Sequence, residues 1–383
     1  MKKGWQSRKL GDLCVVDWGN TDLTKSAYVE GGKFLAVSAA GCDGRIGHSE
    51  HVKHTPVLSA IGAQCGRMFL PDEDFTAIKN TITLTPRAGT CTGQFLYQLL
   101  TYVDLPKRGA AQPFISKGDI QTFQVTVPES LAEQQRIVGI LDEAFEGIAT
   151  AKANAEKNLE NARALFESHL QSVFTQRGEG WAESKLKSIT TKIGSGATPR
   201  GGEESYKAEG ISLIRSLNVH DLAFKYAKLA FLDDAQADEL SNVEVQPRDV
   251  LLNITGASVA RCTIVPDDVL PARVNQHVSI IRPIAGKLDA AFLHYTLISK
   301  PYKDALLKTG EEGGSTRQAI TKAQIQEFSV EYPATLGEQK TIVAKLDAML
   351  AETQRLATIY ERKLAALDNL KKSLLHQAFS GNL

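Results

Sequence analysis

The stretch LAEQQRIVGILD, from Leu131 to Asp142, returns in the same chain as LGEQKTIVAKLD, from Leu336 to Asp347. The two copies stay in register at an offset of 205 residues, which is 336 minus 131, as far as Phe174 and Phe379. A similarity that keeps one offset over such a length cannot easily be chance. The sequence therefore contains an internal repeat, and the repeated part decides the fold.

Both copies begin with a helix-start signal. Ser130 to Glu133 and Thr335 to Glu338 each form an S/T-x-x-E capping box, in which the hydroxyl accepts the N3 amide and the glutamate reaches back to the cap amide. A proline two residues before each cap keeps the helix from extending backwards. The sequence predicts two long helices that begin at equivalent points.

Apolar residues recur every seven positions within both copies, which is typical of a coiled coil. Lys152 interrupts the first series, and Gly139 and Gly147 each lower helix propensity by about 1 kcal/mol, so neither helix is expected to be stable alone. We predict that the helices pack on each other; the alternative is that each packs only on its own domain. The predicted seam consists of Val138, Leu141, Phe145, Leu159, Val343, Leu346, Leu350 and Leu364.

The segments between the helices repeat more weakly. GWQSRKLGDL at Gly4 resembles GWAESKLKSI at Gly180, and VLSAIGAQCGR at Val57 resembles VLLNITGASVAR at Val250. Alternating stretches such as TITLT, VSIIRP and FQVTVP, with frequent glycine and proline, favour short strands in an α+β domain. We predict four segments in the order globule, helix, globule, helix: residues 1–128, 129–176, 177–332 and 333–383.

Composition narrows the class of protein. The chain has 383 residues, is 43% hydrophobic and carries 44 basic against 44 acidic side chains. No apolar run reaches the roughly 18 residues of a membrane helix, and the N-terminus lacks a signal peptide, so we expect a cytoplasmic protein without a membrane partner. The five cysteines are odd in number and form no CxxC pair, which favours free thiols.

Motifs of common enzymes are missing from the sequence. There is no GxxxxGK[ST] loop, HExxH helix, GxSxG elbow or GxGxxG turn. GSGATPRGG, starting at Gly194, has only GxG and is better interpreted as a plain loop. HSEHVKH spaces His48, His51 and His54 three apart but has no acidic or cysteine ligand at metal-binding spacing nearby, so surface histidines are favoured over zinc. We predict no catalytic residue and no metal site.

Several features occur together in this chain: the paired PxxLxEQxxIVxxLD helix starts, the LLHQAFSGNL ending, the GW…KL openings, and PRDVLLNITGASVARCTIV with VNQHVSIIRP. In these features the chain resembles the specificity subunit of type I restriction-modification systems. The resemblance covers essentially the whole chain. The resemblance implies an α+β chain with two target-recognition domains, each reading half of a bipartite DNA sequence. It implies that the two helices form an antiparallel coiled coil, which spaces the domains and docks two methylation subunits. Those partners would bind S-adenosylmethionine and methylate adenine, and a restriction (motor-nuclease) subunit can join them. This chain would hold no cofactor and would not be an enzyme.

Base readout uses Arg, Asn, Gln or Ser, while Lys and Arg hold phosphates. In the second globule RSLN ends a predicted strand where domains of the resembled family meet DNA, and Ser38 and Arg45 are its equivalents by position. Two pairs of basic residues occupy matching places in the two globules: Arg67 with Arg261, and Lys79 with Arg273. The second pair lies just before Asn80 and Asn275. For each candidate, an ordinary surface residue or a phosphate contact is the alternative to base readout. The DNA-binding candidates are Ser38, Arg45, Arg67, Lys79, Gln112, Arg215, Ser216, Asn218, Arg261, Arg273, Arg317 and Gln318.

For docking of the methylation subunits we favour the polar residues at the helix starts: Glu133, Gln134, Glu338 and Gln339. The alternative for the two glutamates is that they only close the capping boxes. Two other classes of function remain to be weighed. One is a non-catalytic coiled-coil scaffold with two protein-binding modules. The other is a standalone methyltransferase or nuclease, against which the missing motifs argue.

Overall fold

The computed structural model describes residues 3–176, 180–311 and 319–383. The chain divides into two compact units, the first formed by Met1–Lys157 with Tyr360–Leu383 and the second by Asn158–Ile359. The helices are α1 (Leu10–Leu13), α2 (Gly93–Tyr102), α3 (Lys117–Thr122), α4 (Leu131–Thr175), α5 (Leu186–Ile189), α6 (Asp234–Glu239), α7 (Ala290–Ile298), α8 (Lys300–Glu311), α9 (Lys322–Glu327) and α10 (Leu336–Phe379).

Short strands make up most of the remaining regular structure. In the first globule they are β1 (Trp5–Lys9), β2 (Cys14–Trp18), β3 (Phe34–Ser38), β4 (Gly41–Ile46), β5 (Val57–Ser59), β6 (Met68–Phe69), β7 (Phe75–Ala77), β8 (Thr81–Pro86) and β9 (Gln124–Pro128). In the second they are β10 (Trp181–Lys185), β11 (Thr190–Ser195), β12 (Ile211–Ile214), β13 (Val219–His220), β14 (Ala223–Phe224), β15 (Ala230–Leu232), β16 (Glu244–Val245), β17 (Val250–Asn253), β18 (Cys262–Ile264), β19 (Ala272–Val274), β20 (Val278–Pro283) and β21 (Ser329–Pro333).

The first unit builds its core between a sheet and helices that include α2, α4 and α10. The sheet has the strand order β2-β8-β5-β6, beside a smaller sheet β4-β3-β7 and the antiparallel pair β1-β9. Phe95 and Leu99 of α2, Leu141 of α4 and Phe379 of α10 share one buried apolar cluster with this sheet. The start of α4 and the end of α10 are therefore part of the core of the first unit.

The second unit follows the same plan with more strands. Its sheets have the orders β11-β20-β17-β18 and β15-β12-β19-β16, and β10 pairs with β21 as β1 pairs with β9. Among the residues that the structure describes, the hairpin β13-β14 has no counterpart in the first unit. Phe292 of α7, Phe166 and Phe174 of α4 and Leu346 of α10 lie in one buried cluster. Here the end of α4 meets the start of α10, so the two long helices pack together and run antiparallel.

Individual backbone bonds show how close the repeat is. Leu10 N donates to Phe123 O at 2.9 Å in the first unit, and Leu186 N donates to Phe328 O at 2.9 Å in the second. The strands read from TITLT, VSIIRP and FQVTVP are β8, β20 and β9, as predicted. The α+β class and the repeated architecture are confirmed.

The long helices begin at the predicted residues, Leu131 and Leu336. In both, the cap hydroxyl accepts the N3 amide: Glu133 N donates to Ser130 Oγ at 3.4 Å, and Glu338 N donates to Thr335 Oγ1 at 3.3 Å. Among the described residues, no helix has the length and apolar character needed to span a bilayer. All five cysteines are free thiols, of which only Cys42 is exposed.

The predicted seam residues lie on the inward side of α4 and α10. Leu141 and Leu346 have no exposed surface. The other six are half-buried: Val138, Phe145, Leu159, Val343, Leu350 and Leu364. Lys152, which interrupts the apolar series, forms an ion pair within the first unit, with its Nζ 2.7 Å from Asp368 Oδ1 of α10.

Candidate nucleic-acid interface

Each globule has a cleft where two parallel strands end. β3 pairs parallel with β7, and β12 pairs parallel with β19, so the carboxyl ends of each pair lie at one edge of a small sheet. The first cleft, of about 260 Å³, is lined by residues that include Thr24, Lys25, Ser38, Ala40, Lys79 and Asn80. The second cleft, of about 430 Å³, is lined by residues that include Ser216, Leu217, Thr255, Ser258, Arg261 and His277. Side chains after strand ends are well placed to meet a ligand.

A chain of hydrogen bonds runs along one side of the second cleft. The Thr198 hydroxyl donates to Gln276 Oε1. The Gln276 amide nitrogen lies 3.1 Å from His277 Nε2, and His277 Nδ1 lies 2.5 Å from Thr255 Oγ1. These four residues, which we call the relay, were missed by sequence reasoning. The available signal was the polar triplet Asn275-Gln276-His277 between two buried strands.

The loop that carries Thr198 is held in place by a glycine. Gly196 N donates to Asn275 O at 3.1 Å. A Cβ atom at Gly196 would lie 1.7 Å from Val274 O, so any larger residue would push the loop off the strand end. GSGATPRGG is therefore a loop packed backbone to backbone on β19, which brings Thr198 to the relay.

The arginines of the second globule differ in what surrounds them. Arg215 donates to Glu203 Oε1 at 2.6 Å and to Lys228 O at 2.8 Å, and it lies over the Tyr206 ring. Arg273 is 7% exposed and donates its Nε to Ala237 O at 3.1 Å. Arg261, in contrast, lines the cleft and has no ion pair among the described residues. Of these three candidates, Arg261 is the one whose charge is available in the cleft.

The RSLN turn presents one polar side chain to the cleft and uses another to hold its shape. Asn218 has no exposed surface; its Oδ1 accepts Arg215 N at 3.0 Å and its Nδ2 donates to Lys225 O at 2.8 Å. Ser216 lines the cleft, and its carbonyl accepts Asn253 Nδ2 at 2.9 Å. The structure does not support direct DNA contacts from Asn218 or Arg273, because both are buried and bonded within the globule. Ser216 remains a candidate.

One carboxylate collects three donors, two of which, Lys25 and Ser38, line the first cleft. Asp43 accepts hydrogen bonds from Lys25 Nζ at 2.5 Å, from Tyr28 OH at 2.7 Å and from Ser38 Oγ at 2.9 Å. Burial opposes ionisation, but these bonds together hold the pKa of Asp43 below its ordinary value. Ser38, only 4% exposed, is thus engaged within the globule. Lys79, by contrast, is exposed in the cleft and has no ion pair among the described residues.

The other candidates of the first globule lie on its surface. Arg45 forms a two-point ion pair with Glu73, with N–O distances of 2.7 and 3.1 Å. Arg67 donates to Gln64 Oε1 at 2.9 Å and lies over the Phe69 ring. Gln112 is exposed in the loop before α3. Their role in DNA binding stays a prediction, as does that of Arg317 and Gln318, which lie outside the described residues.

Backbone bonds correct one of the matched pairs. Ser59 N donates to Arg67 O and Asn253 N donates to Arg261 O, both at 2.8 Å, so Arg67 and Arg261 do match. Ile78 N donates to Val37 O at 2.9 Å, and Asn275 N donates to Ile214 O at 3.1 Å. Asn275 is therefore the counterpart of Ile78. Counting from this pair, His277 matches Asn80, Gln276 matches Lys79 and Arg273 matches Thr76. Lys79 and Arg273 therefore do not match, although the sequence predicts that they do.

The glutamines at the helix starts have an internal role. Gln134 donates to Thr90 O at 3.0 Å and to Pro128 O at 3.2 Å. Gln339 donates to the equivalent atoms, Lys287 O at 3.1 Å and Pro333 O at 2.9 Å. Both glutamines have no exposed surface, so the structure does not support direct partner contacts from them. They anchor each helix to its own globule.

Glu133 and Glu338 lie on the outer side of the same helix turns. Glu133 pairs with Arg136 through two N–O contacts of 2.8 Å, and Glu338 Oε2 accepts the Thr335 hydroxyl at 2.9 Å. Partner docking by these two residues stays a prediction. The three histidines of HSEHVKH make separate contacts: His48 with Glu50, His51 with the Phe75 ring and His54 with Gln94.

The architecture defines a class: a duplicated α+β frame with a different cleft in each half, joined through two antiparallel helices. The model of the type I restriction modification DNA specificity domain matches residues 2–161 and again residues 178–361. The chain belongs to this family, whose specificity subunits are the non-catalytic DNA-recognition components of restriction-modification systems.

Known relatives and solved structures agree with this placement. The chain is 22% identical to the type I restriction enzyme EcoDI specificity subunit of Escherichia coli over 99% of its length and 88% of the relative. It is 23% identical to the EcoBI specificity subunit of the same organism over 73% of its length and 58% of the relative. It shares the fold of the HsdS subunit from Thermoanaerobacter tengcongensis at 20% identity, with a TM-score of 0.61 and coverage of 100% and 98% of the two chains. A chain from a structure of a type I R-M system reaches a TM-score of 0.76 at 19% identity, covering 100% and 99%.

Proposed function

We propose that this specificity subunit reads a bipartite, gapped DNA target, with one half-site for each globule. The observation that carries the proposal is the pair of clefts. They lie at the same place on a repeated frame, at the carboxyl ends of two parallel strands, but their side chains differ. A duplicated frame with different clefts suits a target made of two dissimilar halves. The antiparallel helices α4 and α10 would set the spacing between the half-sites.

The chemistry of the clefts supports DNA as the ligand. Arg261 in the second cleft and Lys79 in the first are cations without an ion pair among the described residues. Such groups bind phosphates or the acceptor atoms of base edges, whereas hydroxyl and amide groups discriminate between bases. Ser216, Thr255 and His277 supply these polar groups in the second cleft. The clefts therefore combine attraction to DNA with the means to distinguish its sequence.

We propose further that two copies of a methylation subunit dock on the repeated part. α4 and α10 begin with the same capped turn and are anchored by the same glutamine bonds, so the chain offers two equivalent surfaces. Equivalent surfaces can each bind the same patch of an identical partner. Glu133 and Glu338, on the outer side of these turns, are the proposed contacts.

The methyl transfer would belong to the partner. We propose that the methylation subunits bind S-adenosylmethionine and methylate adenine in the target that this chain selects, within the cytoplasm. A restriction subunit would join the same complex where cleavage is required. In this division of labour the chain supplies binding specificity and no reacting group.

Methylome sequencing tests the central proposal. A host without other adenine methylation would express the chain together with the methylation subunit encoded next to it. We expect methylated adenine in a single motif made of two short blocks with a fixed gap of unspecified bases. A continuous motif would contradict the two-cleft proposal, and methylation without any sequence preference would contradict a specificity role. Native mass spectrometry of the purified complex should give two methylation subunits for each copy of this chain.

A further inference from the structure

The relay of the second cleft fixes which atoms donate hydrogen bonds. Gln276 Oε1 accepts the Thr198 hydroxyl, so the amide NH₂ group faces His277 Nε2, at 3.1 Å. An amide NH₂ can only donate, so Nε2 of the neutral imidazole is the acceptor and the ring proton lies on Nδ1. His277 Nδ1 then donates to Thr255 Oγ1 across 2.5 Å. The direction of every bond in the relay follows from the orientation of one amide.

The relay leaves the Thr255 hydroxyl with a defined role. Its oxygen already accepts the proton of His277 Nδ1, so its own hydrogen is free to be donated elsewhere. Thr255 lines the second cleft together with Arg261. A guanidinium group has only donors, and Arg261 has no ion pair among the described residues. Two side chains with fixed donor character therefore face the same cleft.

We propose that the second cleft recognises a guanine in the DNA major groove through Arg261 and Thr255, with His277 and Gln276 as positioning residues. The proposal rests on the function proposed above and names the base that this cleft reads. In the major groove, guanine presents two acceptors, N7 and O6, whereas adenine presents one acceptor and one donor. Two donors on the protein match the two acceptors of guanine. With adenine, one of these donors would face the N6 amino group, which is itself a donor.

The first cleft lacks this arrangement, although its backbone frame is the same. Asn80 stands at the position of His277 and Lys79 at that of Gln276. Ile61 stands at the position of Thr255, since Ala60 N and Ile254 N make equivalent bonds, to Asn80 O and His277 O. No relay of these residue types can form there. The proposed guanine contact therefore belongs to one half-site only.

Selection from a randomised pool of gapped duplexes tests the proposal with the full chain in its methylation complex. We expect the wild type to require guanine at one position of one half-site. Arg261→Gln should move the preference at that position toward adenine, because glutamine pairs with adenine N6 and N7, and should reduce discrimination for guanine by about tenfold or more. Thr255→Val, which keeps the side-chain shape, should reduce it by about fivefold.

Arg67→Gln is the matched control, because Arg67 occupies the same place in the first globule. It should leave the guanine position of the second half-site unchanged. The cleft assignment is overturned if Arg261→Gln and Thr255→Val keep the wild-type selection. It is equally overturned if they weaken binding to all sequences alike, since Arg261 would then be a phosphate contact. If the wild-type complex selects no gapped sequence, the failure lies in the proposed function itself.

His277 needs readouts that a merely structural role would not change. His277→Asn, which introduces the residue of the first globule, should alter preference at the same base position as Thr255→Val while affinity for unrelated duplexes stays constant. In the wild-type chain, the ¹⁵N shifts of the His277 ring should show the Nδ1–H tautomer. A ring protonated on Nε2 would reverse the relay and contradict the assignment, even if His277→Asn folds poorly.

Discussion

The two globules agree where they hold the helices and differ where they face solvent at the clefts. Gln134 and Gln339 donate to the same pair of carbonyl groups in the two globules, at nearly equal distances. At the strand ends, in contrast, Asn80 occupies the place of His277. The frame fixes the backbone that carries the cleft residues, so their side chains can change without altering the fold. Such a division lets one architecture read different ligands.

The second globule also carries charges inside its frame that the first lacks. Asp249 has no exposed surface and pairs with Arg282, with Nε and one terminal nitrogen each 2.7 Å from a carboxylate oxygen. In the first globule Cys14 of β2 pairs with Pro86 of β8, and in the second Thr190 of β11 pairs with Pro283 of β20. The two prolines are therefore equivalent, so Thr85 occupies the position of Arg282. The larger globule therefore depends on an ion pair for which its smaller counterpart has no equivalent.

Replacing Asp249 should have the largest effect on stability. Asp249→Ala leaves Arg282 without its carboxylate. It also leaves the backbone N–H of Gln246, which donates to Asp249 Oδ2 at 2.8 Å, without that acceptor. Breaking a buried ion pair typically costs 3–5 kcal/mol, so we expect a loss of about 4 kcal/mol in the second unit. Native-state hydrogen exchange of β17 measures it, with β5 of the first unit as internal reference. Glu73→Ala, which breaks a surface pair, is the control and should leave exchange unchanged. Equal effects of the two variants would contradict the comparison.

The repeat, the helix starts and the α+β class could be predicted because local rules decide them. Ser130 and Thr335 specify where the helices begin, and heptads of apolar residues specify which side packs. The cleft was predicted in part. Arg261, Ser216 and Lys79 do line clefts. Ser216 and Lys79 follow the ends of β12 and β7, whereas Arg261 directly precedes β18 and was predicted from its match with Arg67.

The remainder depended on tertiary contacts that no local pattern records. Arg273 is a residue type suited to DNA, yet the fold buries it against Ala237 O, 36 positions away. Asn218 is also buried, in a turn where it bonds Arg215 N and Lys225 O. Gln134 and Gln339 were predicted at a partner surface because they follow a helix start. Their burial depends on the neighbouring globule, which a helical pattern alone does not describe. The relay joins Thr198 to Gln276, 78 positions away, and His277 to Thr255, 22 positions away.

The glutamine anchors allow the two halves to be compared directly. Gln339 satisfies three backbone groups, since its Oε1 also accepts Asp289 N at 2.8 Å. Gln134 satisfies two, and its own Oε1 is buried without a partner. Gln339→Met should therefore destabilise the second unit by about 3 kcal/mol, and Gln134→Met the first by about 2 kcal/mol. Urea unfolding followed by exchange in each unit measures both. A larger loss for Gln134→Met would show that bond counts do not explain the anchors.

A buried histidine should give the second unit a pH dependence that the first lacks at the matching position. Burial lowers the pKa of His294 to about 4, although the hydrogen bond to Cys262 O acts in the opposite direction. The equivalent position in α2 of the first unit is Tyr97. The unfolded chain binds this proton below about pH 6.5 but the folded unit only below about pH 4, so stability is complete above pH 6.5 and falls on acidification. We expect a loss of about 2 kcal/mol between pH 7 and pH 5. His294→Gln, which keeps a donor, should remove that loss; an unchanged pH slope would exclude His294 as its source.

The smallest effect is expected at the charged interruption of the seam. Lys152 stands where the repeat places Ala357, and its ion pair with Asp368 is partly exposed on both sides. Exposed pairs contribute little, because water and salt screen them, and the lysine stem can cover apolar surface by itself. Lys152→Ala, which copies the second helix, should leave the urea midpoint of the first unit unchanged within error. Lys152→Glu should lower it at low salt, since a like charge then faces Asp368, and added salt should restore it. A marked loss for the alanine variant would show that the first helix depends on this lysine in a way the second does not.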